Sequence, residues 1–220
     1  MSKLKKVIQR IIGKPTYVYP IFDKIIYSPT KGYAGGSLYE TNILIVTNFA
    51  DIKEYYQLFE QEKANVSYLI CDKNPDISDI TRIEKDQIGP YEHIINILSA
   101  NTNMGLTDNG YNDNDITSFA YDILKVETEY LVSKNSYATL CTAIIDNGAS
   151  DFEISSASIK ACVEGLGKPL GNHKLICNGV IAEKDVPLSA VIPTTIYMSS
   201  KYGQILAGQV LELNNGKFEN

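Results

Sequence analysis

Between Asn42 and Leu213 the chain alternates short, uninterrupted apolar runs with longer stretches of helical periodicity. The runs are Asn42–Thr47 (NILIVT), 66–71 (VSYLIC), 94–98 (IINIL), Ala138–Ile145 (ATLCTAII), 174–181 (KLICNGVI) and Val210–Leu213. A strand with one wet face alternates apolar and polar residues. Asn42–Thr47 does not, so it reads as a strand buried on both faces. The intervening stretches read as helices. Residues 51–63 turn Ile52, Tyr55, Tyr56 and Phe59 inward, and 116–132 turn Ile116, Phe119, Ala120, Ile123, Leu124 and Leu131 inward. Residues 155–166 carry small residues at Ala157 and Ala161, and 188–200 are interrupted at Pro193. Buried strands separated by helices require a parallel sheet covered on both sides, and right-handed crossovers make it doubly wound. The expected fold class is α/β: a Rossmann-like, doubly wound parallel sheet in three α/β/α layers.

Composition sets the partners. The 220 residues are 44% hydrophobic and 21% charged, which is globular rather than disordered. With 20 basic against 26 acidic residues the net charge is -6, so no nucleic-acid partner is expected. No apolar run is long enough for a membrane span. Cys71, Cys141, Cys162 and Cys177 form no CxxC pair, and only His93 and His173 could assist them, so no metal site is expected. No secretory signal is recognisable, and a reducing, cytoplasmic setting follows.

Residues 1–40 differ from the rest and are divided from a domain at 41–220. In the segment 3–14, Leu4, Val7, Ile8, Ile11 and Ile12 recur at helical spacing among Lys3, Lys5, Lys6, Arg10 and Lys14. Two readings stand. The helix packs on its own domain with a solvated basic face, or it lies on an anionic membrane surface or in a partner groove at the inner face of the membrane. Residues 16–40 form a Tyr/Gly/Pro-rich arm, with Tyr17-Val18-Tyr19 and Ile25-Ile26-Tyr27 as short strands or extended pieces. Gly32, Gly35 and Gly36 precede the first strand, whereas a dinucleotide loop must follow one.

Several chemistries are missing. No GxSxG elbow and no Walker loop occur. The Asp-rich stretch 108–115 (DNGYNDND) lacks the closing glutamate of a calcium loop and reads as an exposed loop preceding a helix. Asn109-Gly110 and Asn178-Gly179 read as turns or strand ends.

Three ordered stretches resemble the short-chain dehydrogenase/reductase family. Ser156-Ala157-Ser158-Ile159-Lys160-Ala161-Cys162-Val163-Glu164-Gly165-Leu166 is similar to its active-site helix, in which a Tyr-x-x-x-Lys pair is followed by Ala-Ala-Val-x-Gly-Leu. Residues 174–182 (KLICNGVIA) resemble its next strand, and 202–216 (YGQILAGQVLELNNG) its C-terminal signature. Asn96-Ile97-Leu98-Ser99 falls where the family has Asn-Asn-Ala-Gly. The similarity spans roughly 41–216.

The departures concern function. The family's first strand runs into T-G-x-x-x-G-x-G, whose glycines let the backbone approach a pyrophosphate at a helix N-terminus. Here Thr47 is followed by Asn48-Phe49-Ala50-Asp51-Ile52-Lys53-Glu54, without a glycine, and the turn reads as an ordinary capped helix start. By position, Thr47, Asp72 and Asn96 are the candidate cofactor-binding residues; Asp72 stands where NAD-preferring members hold a ribose, or is simply a turn residue. Lys160 matches the family's catalytic lysine in vestigial form. Ser156 stands at the expected tyrosine, and its hydroxyl is too basic and too short to replace a phenol. The catalytic serine's place falls on Ala143 or near Asp146, and Asp122 lies in the neighbourhood of the helix-borne asparagine. Lys160 is expected to pair with an acidic neighbour such as Glu164. The cofactor half is shortened between Asp79 and Gly89, and 182–187 leave no room for a substrate lid.

The resemblance with these departures implies a catalytically degenerate protein, a pseudo-dehydrogenase acting as an assembly or interaction subunit. It would form a homo-oligomer, or a hetero-oligomer with an active relative. No cofactor is expected. The Lys-, Tyr- and Asn-rich composition suggests a bacterial accessory to sugar or cell-surface polysaccharide synthesis. Two alternatives stand beside it: an active NAD(P)-dependent oxidoreductase with a remodelled site, and a small-ligand sensor using the vestigial pocket.

Overall fold

Each apolar run becomes a strand, and the six strands pair in parallel: β1 (Asn42–Thr47), β2 (Asn65–Ile70), β3 (His93–Ser99), β4 (Ala138–Ile145), β5 (Leu175–Ala182) and β6 (Val210–Leu213). The computed structural model describes residues 37–71, 76–85, 90–100, 116–149, 152–171 and 173–214. The basic segment 3–14, most of the arm, Asp72 and the Asp-rich stretch 108–115 lie outside them. The strand order is β2-β1-β3-β4-β5-β6. Every residue of β1, β3 and β4 is buried, as uninterrupted apolar runs require.

Among the described residues five α-helices connect the strands: α1 (Tyr56–Glu60), α2 (Ile77–Glu84), α3 (Ile116–Lys134), α4 (Phe152–Gly171) and α5 (Leu188–Ser199). On one face of the sheet, Leu44, Ile94, Leu140 and Cys177 share a core with Ile123 and Leu124 of α3 and Ile159 and Val163 of α4. The other face carries Ile45, Ile95, Cys141 and Val180, all buried, beneath Val191, Ile192 and Ile196 of α5. This is the three-layer arrangement expected. Burial pushes the Cys141 thiol up to about 12 and Cys177 higher still, so both act as small apolar side chains.

The elements differ from expectation in four places. Residues 51–63 do not form one helix: a 3-10 turn at Ala50–Tyr55 leads into the single turn of α1. Phe49 occupies the N-cap position with extended backbone and no side-chain cap. The expected capped start is absent, and i→i+3 bonds tighten the turn instead. Helix α4 runs past Leu166 to Gly171, because Gly167 serves packing rather than termination: a Cβ there would lie 2.4 Å from the Gly208 Cα before β6. Asn178-Gly179 is no turn; both residues lie inside β5. The Asn178 amide donates to the carbonyls of Met198 and Gly203 at 3.0 Å, tying the end of α5 and the turn after it to the sheet. Helix α5 contains Pro193 without a break.

In the shortened region, α2 has eight residues and opens with a capping box between Asp76 and Asp79. Only residues 183–187 join β5 to α5. Among the described residues no helix is long and apolar enough to cross a membrane.

Candidate functional site at the carboxyl ends of the strands

The chain leaves β1 towards β2 on one side and returns to β3 on the other. In open α/β sheets ligands bind in the crevice outside the strand ends at such a reversal. The walls here are Thr47-Asn48-Phe49 after β1 and Ser99-Ala100 at the end of β3, with Asp146-Asn147-Gly148 after β4 beside them.

Asn48 spans the reversal. Its Nδ2 donates to the Ser99 carbonyl at 3.0 Å, and the Ser99 N–H donates to its Oδ1 at 2.8 Å. Both residues are buried, at 8% and 7% exposure. The side-chain amide acts as one more peptide of the β1–β3 ladder, whose last backbone pair is Thr47 with Ile97. The Ser99 hydroxyl accepts from Asn147 Nδ2 at 2.6 Å, so a polar string runs across the ends of β1, β3 and β4. Next to it Asp146 Oδ1 accepts from the Gly148 N–H at 2.7 Å, and Gly148 takes the left-handed backbone, φ +97°, that this tight turn needs.

The candidate residues do not gather at this reversal. Thr47 does lie there, fully buried, its hydroxyl in long contacts of 3.4 Å with the backbone of Phe49. Asp72 lies outside the described residues. Asn96 sits within β3, on the face that α3 and α4 cover. Its Nδ2 donates to Glu127 Oε2 on α3 at 2.7 Å and to Thr142 Oγ1 at 3.0 Å. The Ser156 hydroxyl donates to the Glu153 carbonyl one turn back in α4. Lys160 bonds Glu212 on β6 instead of the expected Glu164, since strand β6 brings a carboxylate directly to it. The Glu212 hydrogen bond and charge raise the Lys160 pKa, with Glu164 adding a smaller effect from its own helix.

Glu127 and His93 are buried titratable groups to which no sequence motif assigns a role. Glu127 is wholly enclosed; burial pushes its carboxyl up to about 8, the Asn96 bond offsetting part of the effect. Neither Glu127 Oε1 nor Asn96 Oδ1 has a partner among the described residues. The signal was available: position 127 lies on the same helical face as Ile123, Leu124 and Leu131. His93, at the opposite end of the sheet, bonds Thr139 Oγ1 at 2.7 Å, and that hydroxyl donates to the Ser199 carbonyl. Burial lowers the His93 pKa to about 4, a hydrogen bond to the Ser199 backbone offsetting part of the effect, so the ring is neutral at pH 7.

No protein-family profile and no curated protein matches the chain. Solved structures do. A short chain dehydrogenase from Mycobacterium smegmatis superposes with a TM-score of 0.59 at 14% identity, covering 85% of this chain and 97% of that one. The citronellol catabolism dehydrogenase AtuB of Pseudomonas aeruginosa PAO1 gives 0.60 at 12% identity, covering 84% and 99%. At such identities the likeness establishes the fold.

Proposed function

We propose that this chain, whose fold is that of the short-chain dehydrogenases, is a non-catalytic assembly subunit in which the dinucleotide crevice has been closed by its own side chains. The Asn48–Ser99 pair carries this reading. A pyrophosphate at the reversal needs unengaged backbone N–H groups and glycine-sized neighbours. Here the Ser99 N–H is taken by Asn48, and Phe49 leads into a 3-10 turn whose peptide dipoles align less well than those of an α-helix.

The remaining chemistry supports the same reading. Ser156 is satisfied within its own helix and Lys160 is engaged by Glu212, so neither is a free acid–base group at the strand ends. The link at 183–187 is too short to fold over a substrate. What remains is a well-packed sheet with exposed apolar side chains around it, among them Ile70, Tyr121 and Ile154. We place the subunit beside enzymes of bacterial sugar or cell-surface polysaccharide synthesis, with composition as the support. Light scattering on the full chain tests the assembly role: a mass above that of one chain is expected, and a strict monomer at all concentrations contradicts it.

A further inference from the structure

Strand β2 stands at the edge of the sheet, paired with β1 alone among the described residues. The Asn65 N–H donates to the Thr41 carbonyl and the Cys71 N–H to the Thr47 carbonyl, at 2.9 and 2.7 Å. Alternate residues of a strand aim their backbone groups to opposite sides. Asn65, Ser67, Leu69 and Cys71 therefore face β1, and Val66, Tyr68 and Ile70 aim theirs outward, where no described residue meets them. Natural edges are protected by charge, proline or a bulge. The sequence Asn65-Val66-Ser67-Tyr68-Leu69-Ile70 has no charge and no proline, and it pairs with β1 in unbroken register. Ile70 is 41% exposed.

We infer that the β2 edge pairs with the β2 edge of a second copy, antiparallel about a two-fold axis at Tyr68, joining two sheets into one. This rests on the assembly reading above and names its surface. The edge is self-complementary in that register. Val66 meets Ile70 of the other copy, Tyr68 meets Tyr68, and every outward N–H and carbonyl of these three residues gains a partner. The side chains of Val66, Tyr68 and Ile70 share one face, because they pair with Ile43, Ile45 and Thr47 of β1. The new cross-strand contacts are then β-branched with β-branched and aromatic with aromatic, the favoured kinds. Tyr56 stacks on Tyr68 with ring centroids 3.8 Å apart, so the central aromatic pair is backed on each side. With a net charge of -6 per chain, an uncharged strand is where two copies meet without like charges opposed. The edge strand is six residues long, short for an interface, so association is concentration-dependent.

Sedimentation velocity of the full chain across micromolar concentrations, with amide exchange read by residue, tests the inference. The expected result is a monomer–dimer equilibrium in which the Val66, Tyr68 and Ile70 amides become protected as dimer forms. Val66→Pro removes an outward N–H that β1 does not use, and Ile70→Lys puts a charge on the edge. Each should weaken dimerisation about tenfold or more, with the melting temperature retained as evidence of folding. Dimers that persist in both folded variants, with no protection at these amides, overturn the β2 edge and leave the assembly reading standing. A wild-type chain that stays monomeric throughout overturns both.

Discussion

Asn96 and Glu127 form a 2.7 Å hydrogen bond between strand β3 and helix α3 where neither side chain reaches water. The carboxyl's pKa is raised to about 8, against about 4.3 in an unfolded chain. Folding thus takes up a proton between these values. The contribution is fully present below the unfolded pKa and is lost as pH rises through the folded one. Glu127→Gln keeps the shape and removes the titration. Its advantage over wild type in urea unfolding should grow between about pH 5 and about pH 8.5, reaching on the order of 2–4 kcal/mol. A pH-independent difference would show that Glu127 is ionised in the fold.

His93 has the opposite sign. Its pKa is depressed to about 4, so its contribution is present above the unfolded value of about 6.5 and is lost as pH falls towards the folded one. Proton NMR should find the His93 ring neutral down to about pH 5. A midpoint near 6.5 would contradict the burial of the His93 ring.

The Asn48 bridge should have a measurable worth. Asn48→Ala leaves a buried Ser99 N–H without its acceptor, and a loss of about 1–3 kcal/mol is expected in urea unfolding. Asn48→Asp should cost more, since it sets an oxygen against the Ser99 carbonyl. If both variants match wild type, the bridge does not close the crevice.

The sheet was legible in the sequence because apolar-rich runs recur between helical stretches, and all six formed strands; β1, β3 and β4 are buried throughout, whereas the edge strands β2 and β6 are only partly buried. Local chemistry was less legible where tertiary contacts decide it. Spacing ends the helix at Leu166, whereas α4 runs on past Gly167 beside Gly208, and Asn178-Gly179 reads as a turn or strand end until α5 supplies a carbonyl to its amide. At the candidate site, the missing glycines after Thr47 were plain from spacing. What replaces them was not, because Asn48 and Ser99 are distant in sequence and are joined by the sheet order. Lys160 shows the same limit: Glu164 is its neighbour by helical spacing, but Glu212 is the carboxylate that the fold delivers.

Two glycines of α4 offer an internal control. Gly165 has open space where a Cβ would lie, while Gly167 faces the Gly208 backbone. Gly165→Ala should stabilise by about 0.5–1 kcal/mol through helix propensity. Gly167→Ala should destabilise by about 1–3 kcal/mol by pushing α4 from the turn before β6. Thermal unfolding of the two variants checks both signs, and equal effects would mean that the close approach is absent.

Calorimetric titration with NADH and NADPH tests most directly whether the crevice between β1 and β3 is closed. No saturable binding is expected up to millimolar cofactor, for wild type and for Lys160→Ala alike. Saturable binding in the micromolar range, weakened by Lys160→Ala, would contradict it and put an active oxidoreductase with a remodelled site in its place.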